Sequence, residues 1–127
     1  MESKSKLGYL GLGLMGSQMT RRLIQNGYQV TGFDPASNKV NEAVANGVVA
    51  AASPAEVARA SDIVLACVIN TTALTEAIFG PKGIVESDGA DKIFLDHSTT
   101  IADKTRELAA RLREKTGMRW VDAPVSG

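Results

Sequence analysis

Apolar residues in this chain fall into short runs separated by longer amphipathic stretches, and the two kinds of segment alternate from end to end. Residues 7–10, 28–33, 48–51, 63–69, 92–95 and 118–121 read as strands, since each is brief, apolar and bounded by turn residues. Helical periodicity occupies 15–26, 37–46 with Val40, Ala43 and Val44 on one face, about 54–59, 73–79, and about 101–115 with Leu108 and Leu112 on its inner stripe. The punctuation agrees. Gly27, Gly47 and Gly117 close helices. Ser53-Pro54-Ala55-Glu56 is a capping box with proline at the first helical position, Asn70-Thr71-Thr72 can cap the fourth helix, and Thr100 with Asp103 forms a second capping box. The run 63–69 is apolar without alternation, as in a central parallel strand buried on both faces.

Six strands alternating with helices predict an α/β fold, a doubly wound parallel sheet, because right-handed crossovers put helices on both faces. Ligands of such sheets bind at the carboxyl ends of the strands, where strand order reverses. The loops at those ends begin at Gly11, Asp34, Val68, Asp96 and Asp122, and they hold most of the small polar residues of interest.

The first loop carries the most specific chemistry. Gly11-Leu12-Gly13-Leu14-Met15-Gly16 lies between a predicted strand and a predicted helix, the context in which G-x-G-x-x-G means dinucleotide binding. Gly11 turns the chain sharply, Gly13 lets backbone approach a pyrophosphate, and Gly16 lets helix pack close on strand. The helix start then offers unpaired N–H groups and the positive end of its dipole to phosphates. Asp34 stands at the end of the second strand, 18 residues after Gly16, close to the ~20 expected of the acid that binds the adenosine ribose. A carboxylate there accepts from the ribose hydroxyls and repels a 2′-phosphate, which favours NAD over NADP. Asp-Pro-Ala-Ser is also a common turn sequence, so Asp34 has a purely local role open to it as well.

Composition narrows the class. A chain of 127 residues is one domain's worth, and 44% apolar content supports a buried core. Residues 1–6 are a polar lead-in expected to be disordered, and 7–127 are expected to form a single domain. Zero formal net charge gives no basic patch for nucleic acid or an acidic membrane. No apolar stretch is long enough to span a bilayer and no signal-peptide core follows Met1, so a cytoplasmic protein is expected. The one cysteine, Cys67, lies in an apolar run and reads as a small core residue. No metal cluster stands out.

Three motifs in order, Gly11 to Gly16, Asp96-His97-Ser98-Thr99 and Asp122-Ala123-Pro124-Val125-Ser126-Gly127, resemble the β-hydroxyacid dehydrogenases. These include 3-hydroxyisobutyrate dehydrogenase and tartronate semialdehyde reductase, with 6-phosphogluconate dehydrogenase more distant. The resemblance covers essentially the whole chain and implies a Rossmann fold with NAD(P)-dependent interconversion of a small β-hydroxyacid and its semialdehyde or ketoacid. It implies that Gly11, Leu12, Gly13, Leu14, Met15 and Gly16 hold the pyrophosphate and Asp34 the ribose. Val68, Ile69 and Asn70 would line the cofactor, Thr99 would stand near the nicotinamide, and Ser126 and Gly127 would bind the substrate carboxylate. Members of this family often have proline where Ile69 stands and serine where His97 stands. Proton transfer in the family falls to a lysine on a later helix, expected beyond residue 127, so His97 is expected to be a structural loop residue and no catalytic residue is assigned. A helical second domain, which closes the site and often mediates homo-oligomerisation, is likewise expected to be absent from this chain. Cofactor binding without turnover follows. The competing reading is a stand-alone nucleotide-sensing module, against which the terminal substrate motif counts. A methyltransferase is disfavoured by Gly16 and that same ending, and a P-loop protein by the missing G-K-[ST].

Overall fold

In a computed structural model of the chain, which describes residues 5–68, 70–98 and 102–122, the strands are β1 (Leu7–Leu10), β2 (Val30–Phe33), β3 (Val49–Ala50), β4 (Ile63–Ala66), β5 (Ile93–Asp96) and β6 (Arg119–Asp122). They form one sheet in the order β3-β2-β1-β4-β5-β6, every neighbouring pair parallel. The helices are α1 (Leu14–Gln25), α2 (Ser37–Ala45), α3 (Pro54–Arg59), α4 (Thr71–Phe79) and α5 (Ala102–Thr116). This is the Rossmann topology, with the reversal of strand order between β1 and β4.

Side chains alternate across the sheet and make two cores. On one face Leu7, Tyr9, Val30 and Leu65 pack with Ala43 of α2 and with Met19 and Leu23 of α1. On the other, Leu10, Val64, Ala66 and Phe94 pack with Val57 of α3, Leu74 and Ile78 of α4, and Leu108 and Leu112 of α5. Phe94 and Trp120 meet across β5 and β6 with ring centroids 4.6 Å apart. The β4 strand is buried from Val64 to Ala66, as the unbroken apolar run predicts.

The boundaries differ from the sequence expectation for identifiable reasons. Strands expected from residues 28 and 48 start at Val30 and Val49 because each preceding helix takes those residues for its own termination. At the end of α1, Gly27 N–H donates to Ile24 C=O at 3.0 Å and Tyr28 N–H to Leu23 C=O at 3.1 Å, with Gly27 at φ 88°. At the end of α2, Gly47 and Val48 repeat the pattern onto Val44 and Ala43. These are Schellman closures, which spend two backbone donors that a strand would otherwise use. The fourth strand stops at Ala66, not at residue 69, because Val68 N–H leaves the ladder for the Ser98 hydroxyl at 2.9 Å. The Ser53 hydroxyl caps α3 by accepting from Glu56 N–H at 3.2 Å, while the Glu56 carboxylate accepts from Ala52, one residue before the position a strict capping box uses. A 3₁₀ turn at Ile84–Glu86, unforeseen in the sequence, buries Ile84 in the second core.

Candidate functional site

Because β1 leads to α1 on one face and β4 leads to α4 on the other, their connecting loops part at the strand tips and leave a crevice. It is a cleft of about 550 Å³ lined by Leu10, Gly11, Gly13, Phe33, Asp34, Pro35, Ala36, Lys39, Pro54, Cys67, Val68, Ala73, Glu76, Ala77 and Pro81. Its walls are mostly apolar, with a few charged groups.

The three glycines of the first loop do different work. Gly11 has φ 93°, and a Cβ there would collide with the Cys67 carbonyl. A Cβ on Gly16 would strike the Gly11 carbonyl and press on the Tyr9 ring, so Gly16 is what lets α1 sit against β1. Gly13 is the opposite case: a Cβ there would meet nothing within 4 Å. The chain itself does not need a glycine at that position, and the bare backbone faces the cleft. Gly13 is also the N-cap of α1, where no side chain caps the helix and the first turn carries no acid. The helix start therefore presents positive charge to the cleft, with no capping side chain and no acid in its own first turn. A diphosphate fits that cradle.

Asp34, at the tip of β2, is held from two sides. Leu12 N–H donates to one carboxylate oxygen at 2.8 Å and Ala36 N–H to the other at 2.9 Å. The second bond is the local turn that Asp-Pro-Ala-Ser suggested; the first ties β2 to the glycine loop. Each oxygen keeps acceptor capacity toward the cleft, which Asp34 lines. The half-buried Lys39, from the first turns of α2, lines the same cleft.

Beyond β4 and β5 the loops are locked together. Asp96 is fully buried, and one of its oxygens accepts from Ser98 N–H at 2.8 Å. The Ser98 hydroxyl bonds the same carboxylate and accepts from Val68 N–H at 2.9 Å, so the carboxylate braces the cleft wall through Ser98. Among the described residues the other Asp96 oxygen has no partner. Burial pushes the Asp96 carboxyl above its ordinary 3.8, and the charge of Asp122, its register neighbour on β6, adds to this; the Ser98 hydrogen bonds and His97 oppose it. The folded chain thus holds this proton more tightly than the unfolded chain, and the resulting stability is complete below pH 3.8 and is lost as pH rises through the folded value. Asp96→Asn should remove that dependence. In denaturant titrations, the stability of the wild type relative to Asp96→Asn should fall as pH is raised above about 4. A flat difference would contradict it.

Of the residues singled out in the sequence, Gly11, Gly13, Asp34 and Val68 come together in the cleft. Leu12 is buried with its N–H committed to Asp34. Leu14 is 79% exposed, Met15 is partly exposed, and Gly16 is packed on β1. Asn70 lies off the cleft lining, its side chain accepting from Ala73 N–H at 2.8 Å as the cap of α4. Ile69, Thr99, Ser126 and Gly127 lie outside the described residues. Cys67 packs on the core but also lines the cleft, and burial pushes its thiol up, away from nucleophilic character. Lys39, Ala73, Glu76 and Ala77 were not anticipated; the i, i+3, i+4 spacing of the last three was the available signal. Among the described residues no cluster of His, Cys, Asp and Glu could hold a metal ion, and no helix is long and apolar enough to cross a membrane.

Known proteins match this fold and this chain. The NAD binding domain of 6-phosphogluconate dehydrogenase matches as a family over residues 6–127. The cytokine-like nuclear factor N-PAC of Pongo abelii is 38% identical over 96% of this chain, which covers 22% of that protein. An uncharacterized oxidoreductase of Shewanella frigidimarina is 37% identical over 97% of this chain, which covers 42% of it. The solved structure of Mycobacterium tuberculosis 3-hydroxyisobutyrate dehydrogenase with L-serine is 31% identical and superposes with a TM-score of 0.84 over 98% of this chain and 42% of that one. The chain thus spans less than half the length of each of these relatives. The glycine loop, the acid after β2, the strand order and the family match agree, and the chain belongs to the family of the NAD-binding domain of 6-phosphogluconate dehydrogenase, with 3-hydroxyisobutyrate dehydrogenase among its structural neighbours.

Proposed function

We propose that the chain is the cofactor-binding part of an NAD-dependent dehydrogenase that interconverts a small β-hydroxyacid and its semialdehyde or ketoacid. The observation that carries this reading is the open backbone at Gly13, at the uncapped start of α1, beside the Asp34 carboxylate. Backbone N–H groups of the glycine loop hold the diphosphate. Asp34 accepts from the adenosine ribose and repels a 2′-phosphate, and Val68 and Ile69 line the cofactor after β4, where Asn70 serves as the cap of α4. Thr99 stands near the nicotinamide, while Ser126 and Gly127 take the substrate carboxylate. When bound, the nicotinamide supplies the hydride acceptor or donor.

The titratable side chains lining the described cleft are Asp34, Lys39, Cys67 and Glu76. Asp34 is held by two backbone donors, the Cys67 thiol is pushed up by burial, and Lys39 and Glu76 line the cleft from α2 and α4. None is a proton carrier suited to the reacting carbon, so the 127-residue chain binds dinucleotide without turning over a hydroxyacid. Calorimetry should give saturable NADH binding, while hydroxyacid and NAD together give no NADH absorbance. Absence of binding would defeat the reading, and turnover would defeat the assignment of proton transfer to a residue outside this chain. A second reading, a dinucleotide-binding module without catalysis, is favoured by the relative named as a nuclear factor. Hydroxyacid oxidation by the protein of the complete gene would decide against it.

A further inference from the structure

We propose that Glu76 reads the base of the dinucleotide: its carboxylate accepts from the exocyclic amine of adenine, so the cleft selects an adenine over a hypoxanthine dinucleotide. This rests on the cofactor reading above and extends it to a residue that the glycine motif does not include. With the diphosphate at Gly13 and the ribose at Asp34, the part of the cleft left for the base lies between Pro35, Ala36 and Lys39 on one wall and Ala73, Glu76 and Ala77 of α4 on the other. Ala73 and Ala77 are short and leave room for a flat ring. Pro54 and Pro81, which also line the cleft, have no backbone N–H to offer it. Glu76 is thus the one side-chain acceptor on the α4 wall.

The carboxylate is also available. Asp34 is engaged by two backbone donors, whereas neither the Glu76 carboxylate nor the Lys39 ammonium has a hydrogen bond or ion pair among the described residues. Room for it is kept by the end of α4, where a Cβ on Gly80 would stand 2.6 Å from Glu76 Oε1. An ionised carboxylate only accepts. The adenine amine satisfies it, while the hypoxanthine carbonyl at the same ring position sets acceptor against acceptor. Discrimination of this kind comes from the hydrogen bond made with one ligand and missing with the other.

The test is calorimetric titration of the 127-residue chain with NAD and with nicotinamide hypoxanthine dinucleotide, repeated on Glu76→Ala and Glu76→Gln. Glu76 is exposed, and a thermal melt checks that both variants stay folded. The wild type should prefer NAD by about ten-fold or more, the value of a hydrogen bond to a charged group. Glu76→Ala should lose the preference by weakening NAD alone. Glu76→Gln, whose amide can donate to the carbonyl, should shift it toward the hypoxanthine dinucleotide. Equal wild-type affinities, or a Glu76→Ala variant that keeps the preference or weakens both ligands alike, would overturn the role of Glu76 while leaving the cofactor reading standing. Failure of both dinucleotides to bind the wild type would overturn the two together.

Discussion

Gly13→Ala should leave the chain nearly as stable as the wild type while weakening NADH binding about ten-fold or more, and Gly11→Ala and Gly16→Ala should do the reverse damage first, to the fold. The three residues share one motif, yet the structure separates them. A methyl group on Gly13 enters open space, and the backbone there is extended, so the cost is that of exchanging glycine for alanine at an N-cap, under about 1 kcal/mol. Its effect falls on whatever must approach that backbone. At Gly11 the left-handed backbone alone costs a side chain about 1–2 kcal/mol. The collision with the Cys67 carbonyl adds an overpacking cost of about 1–3 kcal/mol. At Gly16 the obstacle is the Gly11 carbonyl, so α1 must lift from β1. Against a total stability of about 5–15 kcal/mol these are large losses. Urea titrations should show clearly lower midpoints for the Gly11 and Gly16 variants and at most a small decrease for the Gly13 variant. Undiminished NADH affinity in Gly13→Ala would remove the diphosphate from that loop.

Asp34→Ala and Asp34→Asn should split a structural role from an electrostatic one. Alanine removes both acceptors, leaving the part-buried Leu12 N–H unpaired at a cost of about 1–3 kcal/mol. NADH binding should fall with it. Asparagine keeps one carbonyl acceptor for the loop and drops the charge. Its expected signature is a modest stability loss with a changed cofactor preference. The wild type should bind NADH more tightly than NADPH, because the Asp34 carboxylate repels a 2′-phosphate. In Asp34→Asn the gap should narrow or invert, since the charge that repels the phosphate is gone while the Lys39 ammonium still lines the cleft. Parallel titrations with the two reduced cofactors provide the measurement. Wild-type binding of NADPH as tight as NADH would contradict the role given to Asp34.

The cleft was only half legible beforehand. Gly11 and Gly13 could be found because a turn, a close approach and a helix start leave a local motif, and Asp34 because a strand and a helix of ordinary length set its distance from the glycines. Lys39 and Glu76 carry no such mark. Lys39 shares α2 with Glu42 and Glu76 is the one charged residue of α4, and only the packing of α2 and α4 on opposite faces of the sheet brings both to one crevice. Asn70 was legible as a cap and is one, since its side chain is used up by Ala73 N–H. Strand starts were overextended at residues 28 and 48 because apolarity does not reveal that a helix closure has already claimed those N–H groups.

Element type, element order and the glycine loop are written locally: hydrophobic period, caps and turn residues act within a few positions, and the sequence alone determined them. Which strands lie side by side is a long-range property. The bond from Leu12 to Asp34, the bridge from Asp96 through Ser98 to Val68, and the presence of Lys39 and Glu76 in one cleft all depend on β2, β1, β4 and β5 being neighbours. No period in the chain encodes that adjacency. It arises when the two apolar faces of the sheet must be covered at once, and only the tertiary structure decides it.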